Sequence, residues 1–226
     1  MERPVIVCHM ITSIDGRLLP ERWPCPEATL ASLYESTAER LGADGWMVGR
    51  RTMEEWLASG EPALSDEAVG QEDRIADRGR GGLAIAFDRT GRLRPRTGEI
   101  EGDHLVLVLS ERVGEAHVDT LVSQGVSVVF AGATGEDLRG AISRIGTAFG
   151  VRRLLLEGGG RLNGAFLAAD LIDETSTLVF PVVDGQRDVP AIFDCPTEGA
   201  VRPLDLISSD ALDDGTVWLR HRVRRG

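Results

Sequence analysis

The protein has 226 residues, with 25 basic against 36 acidic side chains, so its formal net charge is −11. A surface this acidic argues against binding to nucleic acid, which needs basic groups that displace counterions from phosphates. No run of about 18 apolar residues occurs, which excludes an ordinary transmembrane helix, and we expect no membrane partner. All the basic residues are arginine, so mechanisms that need a lysine, such as Schiff-base chemistry or a P-loop, are excluded.

Cysteines and histidines are few and scattered along the chain. The three cysteines are odd in number and widely spaced, which argues against a disulfide framework or a zinc knuckle. None of the four histidines has a partner at metal-ligand spacing, so we predict no protein-ligated metal. The first residues lack the basic region and cleavage site of a signal peptide. With so few cysteines, a cytoplasmic protein is the default expectation.

Apolar periodicity and turn residues predict alternating strands and helices. The predicted strands cover residues 5–12, 45–48, 83–87, 105–109, 126–131, 153–156, 174–183, 204–208 and 217–223. The predicted helices cover residues 29–41, 52–57, 118–124, 136–149 and 161–169. Residues 58–82 are polar and rich in glycine, which predicts a long loop.

This alternation predicts an α/β protein with three layers, in which helices flank a mainly parallel sheet. The last two strands are separated by the turn residues Asp213, Asp214 and Gly215, so we expect them to form an antiparallel pair. No shift in composition and no linker divides the chain. Residues 1–226 are therefore predicted to form one domain.

A glycine-rich turn lies between the predicted strand 153–156 and the helix that follows it. Glu157 ends the strand, and Gly158, Gly159 and Gly160 follow without interruption. Glycines let a ligand approach the backbone, and the N–H groups of a new helix favour an anion, so the turn indicates phosphate binding. The alternative is a tight turn where a helix packs closely on a sheet. Asn163, the only asparagine, either contacts the ligand or satisfies backbone groups of the first helical turn.

A second candidate anion site follows the predicted strand 45–48. Arg50 and Arg51 come after Gly49, and Thr52 is predicted to cap a helix, with Glu55 completing a capping box. Guanidinium groups beside a helix N-terminus favour an anion. The alternative is a surface arginine pair with a plain cap. Two anion sites in one α/β protein are better explained together, as the sites that bind the two ends of one dinucleotide.

These residues resemble a known family. The segments GRRTMEEW and LLLEGGGRLNGAFLAADLIDE resemble the two cofactor-binding signatures of the dihydrofolate reductase fold. The second segment is more similar to the reductase domain of the riboflavin biosynthesis deaminase–reductase. The segments MITSIDGRL and FDRTGRL resemble two further stretches of that domain, so the resemblance extends from about Val5 to about Pro181.

The resemblance implies a dihydrofolate reductase-like enzyme that uses NADPH to reduce a ribosylamino-pyrimidine 5′-phosphate to its ribitylamino product. It implies a stand-alone form, because the two metal-ligand motifs of the deaminase partner are missing, and it suggests a homodimer. A reductase of the same fold acting on a pterin, dihydrofolate or another imine or carbonyl compound stays open. So does a nucleotide-binding module without catalysis.

The resemblance also assigns roles to particular residues. The residues implied to bind the cofactor are Gly49, Arg50, Thr52, Gly158, Gly159, Gly160, Arg161 and Leu162, and the charge of Arg51 beside them makes it a further cofactor-binding candidate. Glu157 and Asp15 match polar positions on the substrate side, and Glu157 is our preferred proton donor because it ends an apolar strand and should be partly desolvated. The alternatives are that Glu157 caps the glycine turn and that Asp15 is an ordinary turn residue.

His9 and Ser13 are further candidates on the substrate side. The family usually carries a lysine where this chain has His9, and a histidine titrates in a useful range for proton transfer. The alternative is that His9 is an inert residue of its strand.

Overall fold

The computed structural model describes residues 3–66, 72–195 and 201–225. These residues divide into two compact units. The first unit contains residues 3–4 and 44–154, and the second contains residues 5–43 and 155–225, within the described ranges. The expectation that residues 1–226 form one domain stays a prediction.

Strands and helices alternate along most of the described chain. The strands are β1 (Val5–Ser13), β2 (Gly45–Gly49), β3 (Ala58–Ser59), β4 (Leu83–Phe87), β5 (Leu93–Arg94), β6 (Glu99–Ile100), β7 (Asp103–Leu109), β8 (Ser127–Phe130), β9 (Arg153–Leu156), β10 (Glu174–Phe180), β11 (Leu204–Ala211) and β12 (Val217–Val223). The helices are α1 (Glu27–Glu39), α2 (Arg50–Met53), α3 (Glu115–Ser123), α4 (Leu138–Phe149) and α5 (Gly160–Ala168). A single 3₁₀ turn covers Pro20–Arg22.

In the first unit, short apolar strands form the centre. Strands β2, β4 and β7 lie side by side and parallel, and β8 continues the parallel arrangement next to β7. Every residue of β4 is buried. Such continuous apolar runs are typical of parallel strands that are covered on both faces. Residues of α2 and α3 join the core of these strands through Met53, Val118 and Leu121.

Helix α4 shows how local sequence fixes an element. The side chain of Asp137 accepts a hydrogen bond from the backbone N–H of Gly140 at 2.9 Å, which caps the N-terminus. Gly150 ends the helix with φ 67°, a left-handed conformation that favours glycine. Between these ends, residues at helical spacing such as Ile142 and Ile145 are fully buried.

In the second unit, β1 and β10 are parallel, with Val7 opposite Glu174 and Ser13 opposite Phe180. Strand β12 is antiparallel to β10, and β11 is antiparallel to β12. The prediction of a mainly parallel sheet with helices and antiparallel C-terminal strands is therefore confirmed.

Two local predictions need correction. The predicted helix over residues 52–57 is instead the four-residue helix α2, which begins at Arg50 and has Gly49 at its N-cap. No side chain caps α2, so Thr52 and Glu55 do not form a capping box. The predicted loop 58–82 contains the short strand β3, which pairs with β5; residues 67–71 of that loop lie outside the described residues. Strands of only two residues are too short to show an alternation of apolar and polar residues, so the sequence cannot predict them.

Candidate functional site

Glu157 lies directly after β9, at the point where the apolar strand gives way to the glycine turn. Its side chain is partly buried. Burial disfavours the charged carboxylate and raises the pKa of Glu157 from 4.5 to about 7, while a hydrogen bond with Tyr34 acts in the opposite direction. The raised pKa agrees with the sequence-based expectation and gives this carboxyl group a proton near neutral pH.

Two further titratable side chains of the second unit interact electrostatically with Glu157. Cys8 comes from β1 and is buried, and its pKa is raised by burial and by the charge of Glu157. Tyr34 comes from α1, and its pKa is raised by burial, by the charges of Glu157 and Cys8, and by its hydrogen bond with Glu157. Both groups keep their protons at neutral pH, so neither brings a compensating positive charge to Glu157.

The glycine turn has three glycines with three different roles. Gly158 has φ 154°, a backbone conformation that side chains rarely allow. Gly159 is exposed at the N-cap of α5, and a Cβ atom built there meets nothing within 4 Å. A Cβ atom on Gly160 would lie 2.2 Å from the carbonyl oxygen of Ala191. Gly159 therefore has open space in front of it, whereas Gly160 is required by packing within the protein.

One face of α5 holds the segment of residues 191–195. Asn163 donates from its amide nitrogen to the carbonyl oxygen of Ile192 at 3.0 Å, and the N–H of Asp194 donates to the carbonyl oxygen of Gly160 at 2.9 Å. Gly164 approaches the same segment so closely that a Cβ atom would lie 2.2 Å from the oxygen of Asp194. Asn163 is fully buried; its amide nitrogen joins this packing contact, whereas its Oδ1 has no hydrogen-bond partner among the described residues.

The start of α5 fits a phosphate group. No side chain caps this helix. Within the described ranges, the first-turn N–H groups of Gly160 and Arg161 have no protein acceptor. Arg161 is exposed and Leu162 is partly buried. Unpaired N–H groups beside an open glycine and an exposed guanidinium are the donors that a phosphate or pyrophosphate prefers.

In the first unit, the segment Gly49 to Thr52 contributes two guanidinium groups. Arg50 forms an ion pair with Glu54 one helical turn later. Arg51 is exposed and has no ion-pair partner among the residues that the structure describes. Because α2 has only four residues, its helix dipole is small, so the arginine charges carry any attraction for an anion here. Arg51 is the freer of the two groups.

The first unit also contains a cavity of about 450 Å³ that the sequence did not predict. Its lining includes Trp56, Arg94, Arg96, Glu99 and Glu101. Its charged groups have both signs, and the lining contains none of the predicted site residues.

His9 is fully buried, and its ring is part of a closed chain of hydrogen bonds. Trp218 donates to the hydroxyl oxygen of Ser176 at 2.7 Å, and that hydroxyl lies 3.0 Å from Nδ1 of His9. Nε2 lies 3.3 Å from the carbonyl oxygen of Tyr34, which only accepts, so Nε2 carries the proton. Burial lowers the pKa of His9 to about 4. The geometry favours the alternative reading, that His9 is a neutral residue of its strand; a substrate contact stays a prediction.

Asp15 and Ser13 stabilise a turn after β1. The Ser13 hydroxyl donates to Asp15 at 2.7 Å, and the backbone N–H groups of Asp184 and Gly185 donate to the same carboxylate at 3.0 and 2.9 Å. These bonds, with the Ser13 hydroxyl first, hold the pKa of Asp15 well below its usual value. Asp15 is therefore a carboxylate that anchors residues 184–185, a role that fits a turn residue better than a proton donor.

Sequence reasoning missed Tyr34 as a residue of this site. It was predicted as part of a helix, and α1 does contain it, with Leu30 and Thr37 buried on the helix. The one available signal was that Tyr34 is the only tyrosine in the chain. Its effect on the pKa of Glu157 links two elements that are far apart in sequence, so no local pattern reveals it.

The described residues contain no group of histidine, cysteine and acidic side chains arranged to hold a metal ion. Among them, no helix has the length and apolar character needed to cross a membrane.

Comparison with known proteins identifies relatives over most of the chain. A reductase from Methanothermobacter thermautotrophicus, named 2,5-diamino-6-ribosylamino-4(3H)-pyrimidinone 5′-phosphate reductase, is 25% identical over 193 residues, covering 85% of this chain and 84% of its own. A reductase of the same name from Archaeoglobus fulgidus is 26% identical over 200 residues, covering 85% and 87%.

A solved structure of a pyrimidine reductase-like protein from Corynebacterium diphtheriae has the same fold. It matches with a TM-score of 0.71 at 16% identity and covers 99% of this chain and 93% of its own. The model of the family described as RibD C-terminal domain matches residues 4–218. Since that match spans nearly the whole chain, the protein belongs to the RibD C-terminal domain family.

Proposed function

We propose that this protein is an NADPH-dependent reductase that converts a ribosylamino-pyrimidine 5′-phosphate to its ribitylamino product in riboflavin biosynthesis. The observation that carries the proposal is Glu157, a carboxyl group with a pKa raised to about 7, placed directly before an open glycine turn with unpaired N–H groups. The names of the archaeal relatives support the same substrate class.

The chemistry supplied by a bound NADPH is a hydride for the anomeric carbon of the ring-opened ribose. Each turnover also consumes one proton, which goes to the imine nitrogen. Glu157 is the proposed donor, because it is protonated near neutral pH whereas Asp15 is held ionised. After donating, Glu157 takes a proton back from solvent, so the carboxyl group returns to its starting state.

The phosphate groups of the cofactor are proposed to contact the residues with unpaired donors. The glycine turn with Arg161 suits the pyrophosphate, since Gly159 leaves its backbone open to a ligand. Arg51 suits the adenosine 2′-phosphate because it is exposed and not tied to a carboxylate of the described residues. Arg50 is a weaker candidate, since Glu54 already neutralises it.

A homodimer and a cytoplasmic location belong to the same proposal. Strand β11 pairs with β12 on one side, and its Leu204, Leu206 and Ile207 are exposed. A strand with three such apolar side chains in water is a common site for contact with another chain, so it supports self-association.

The test follows NADPH oxidation at 340 nm with 2,5-diamino-6-ribosylamino-4(3H)-pyrimidinone 5′-phosphate, with the deaminated ribosylamino-uracil phosphate and dihydrofolate in parallel. We expect turnover with a ribosylamino substrate, and a loss of about 10²–10⁴-fold in Glu157→Gln with little change in NADPH affinity. Exclusive use of dihydrofolate would support the pterin alternative. NADPH binding without turnover of any of them would favour a non-catalytic module.

A further inference from the structure

We propose that the cavity of the first unit is a second ligand site, which takes a planar nucleobase-like ring with an amino group beside a ring N–H and with a phosphate substituent. Its volume of about 450 Å³ lies within the range of roughly 300–1,000 Å³ that is usual for small-molecule sites. An aromatic side chain, carboxylates and guanidinium groups line it together. All the lining residues belong to the first unit, so the site can be tested without the reductase reaction.

Trp56 supplies the flat apolar surface of this cavity. Its side chain is exposed, and its ring centre lies 5.5 Å from that of Trp46, with the two planes inclined by 47°. Trp46 is itself held in place, because its indole nitrogen donates to the carboxylate of Asp103 at 2.9 Å. An indole ring that is supported by a neighbour and still open to water is a surface on which a planar ring stacks.

The turn between β6 and β7 places a carboxylate at the edge of the Trp56 ring. Ile100 pairs with Asp103, so Glu101 and Gly102 form a two-residue hairpin turn, with φ 51° and 90°. Such a turn favours asparagine or aspartate before the glycine, because both positions have positive φ. Glutamate is therefore an unfavourable residue for the turn itself. Its carboxylate accepts a hydrogen bond from the indole nitrogen of Trp56 at 3.4 Å, so the cavity explains this side chain better than the turn does.

Two guanidinium groups of the lining form no ion pair within the described part of the chain. Arg94 donates from Nη1 to the carbonyl oxygens of Gly91 and Leu93 at 2.8 and 3.0 Å. Its Nη2 donates to the carbonyl oxygen of Glu61 at 2.8 Å, so neutral groups hold the guanidinium and leave its charge in place. Arg96 is exposed, and its side chain has no hydrogen-bond partner among the described residues. A phosphate accepts charge-assisted hydrogen bonds from such groups.

These three kinds of group together select one class of ligand. A ring stacked on Trp56 meets the carboxylate of Glu101 at the edge of the indole, so that edge of the ligand must donate hydrogen bonds. The two oxygens of a carboxylate match an amino group and a ring N–H that lie side by side. Guanine nucleotides have this edge and a phosphate, and so does the 2,5-diamino-4(3H)-pyrimidinone 5′-phosphate in the names of the archaeal relatives.

Isothermal titration calorimetry with guanosine 5′-monophosphate (GMP) tests the hydrogen-bonding edge. We expect GMP to bind, and AMP to bind about 10–100-fold more weakly, because the ring nitrogen of adenine and the carboxylate both accept hydrogen bonds. Inosine 5′-monophosphate keeps the ring N–H and lacks the amino group, so its affinity should lie between the two. Equal affinity for GMP and AMP would overturn the inference.

The same titration with 2,5-diamino-6-ribosylamino-4(3H)-pyrimidinone 5′-phosphate distinguishes the two sources of this chemistry. Tighter binding of GMP would make the cavity a site for a guanine nucleotide. Two pyrimidinone molecules per chain, one of them lost in Glu101→Asn, would make it a second site for the proposed substrate. Absence of binding by both compounds would overturn the inference. If the protein reduces no pyrimidine, the proposed function fails, and the GMP titration still decides this inference.

Substitutions in the lining locate the bound GMP. Glu101→Asn suits the hairpin turn, so it should fold at least as stably as the parent and lose about 10–100-fold in GMP affinity. Trp56→Ala and Arg96→Ala should show losses of the same order. Arg139→Ala removes an exposed arginine of α4 outside the cavity and should bind GMP like the parent. Normal GMP binding by a folded Glu101→Asn variant, or displacement of GMP by NADPH, would place the nucleotide elsewhere and overturn the inference.

Tryptophan fluorescence provides a second measurement that needs no variant. Trp56 is 42% exposed, whereas Trp23 and Trp218 are buried at 6% and 2%. Quenching by acrylamide in the ligand-free protein should therefore come mainly from Trp56. Saturating GMP should reduce this quenching, because a stacked ring covers the indole. Quenching that stays the same with GMP bound would show that Trp56 is not covered, and would overturn the inference.

Discussion

Replacing Glu157 by glutamine is expected to make the protein more stable above pH 7, although it removes most of the turnover. The carboxyl group has a pKa of about 7 in the folded protein against an ordinary value of 4.5. At about 1.4 kcal/mol for each pH unit, this difference corresponds to about 3 kcal/mol. That free energy is the cost of ionising Glu157 in its partly buried position.

The direction of this change in stability with pH follows from the number of protons that the folded and unfolded states bind. Between pH 4.5 and about 7 the folded protein keeps a proton that the unfolded chain has released, so the unfolding free energy falls as the pH rises through this window. Above about pH 7 the full reduction in unfolding free energy is reached. Below pH 4.5 Glu157 is protonated in both the folded and the unfolded state, so the unfolding free energy is not reduced. Glutamine has a similar shape and no charge, so the variant escapes this part of the pH dependence.

Urea unfolding of parent and variant at pH 5.0 and 8.5 measures the effect. We expect the parent to lose about 2.5 kcal/mol more than Glu157→Gln between these two values, because part of the effect is already present at pH 5.0 and contributions from all other groups cancel in the difference. Glu55→Gln, a change of the same kind at an exposed position, should behave like the parent. Equal pH dependence in the parent and Glu157→Gln would refute both the raised pKa and the role of Glu157 as an acid near neutral pH.

Three further predictions concern the other predicted residues. Gly159→Val should keep the melting temperature and lose NADPH binding, because its side chain enters open space, whereas Gly160→Ala should lose about 1–3 kcal/mol of stability from a backbone clash. Arg51→Ala should weaken NADPH binding about 10–100-fold and leave NADH nearly unchanged, with a smaller effect for Arg50→Ala because of its ion pair. His9→Gln should reduce the loss of stability between pH 6.5 and 4, where the folded protein keeps a neutral ring that the unfolded chain protonates.

Each of these measurements has an outcome that contradicts the reasoning. Normal NADPH binding by a folded Gly159→Val variant would make the turn purely structural. Equal affinity of the parent for NADPH and NADH would remove the role assigned to Arg51. An acid-unfolding profile that is the same in the parent and His9→Gln would mean that His9 is not held neutral in the folded protein.

Much of the fold follows from the sequence because its signals are local. The strands at Leu83–Phe87, Arg153–Leu156 and Val217–Val223 have the predicted bounds. The apolar residues of the first two stop abruptly at Asp88 and Glu157, and the third follows the turn residues 213–215. The glycine turn and the placement of Glu157 at the end of β9 were likewise readable, because strand, turn and helix are adjacent in the chain.

Other features depended on tertiary contacts. No property of residues 158–160 distinguishes Gly159 from Gly160; the approach of Ala191 does so. The sequence offered His9 as a candidate for proton transfer, but burial of β1 under α1 makes it neutral and closes its hydrogen bonds. Desolvation depends on what surrounds a group in space, so no single strand pattern reveals it.

The sequence alone thus determined the order of the elements, the open turn after β9 and the carboxyl group beside it. Only the tertiary structure decided which polar residues act together. It brings the hydroxyl of Tyr34 from α1 to the carbonyl of His9 on β1, and it buries Glu157 after β9 enough to raise the pKa of that carboxyl group. The physical reason is that local periodicity specifies which face of an element is buried, whereas the partner that covers a particular polar atom is fixed only when distant elements pack.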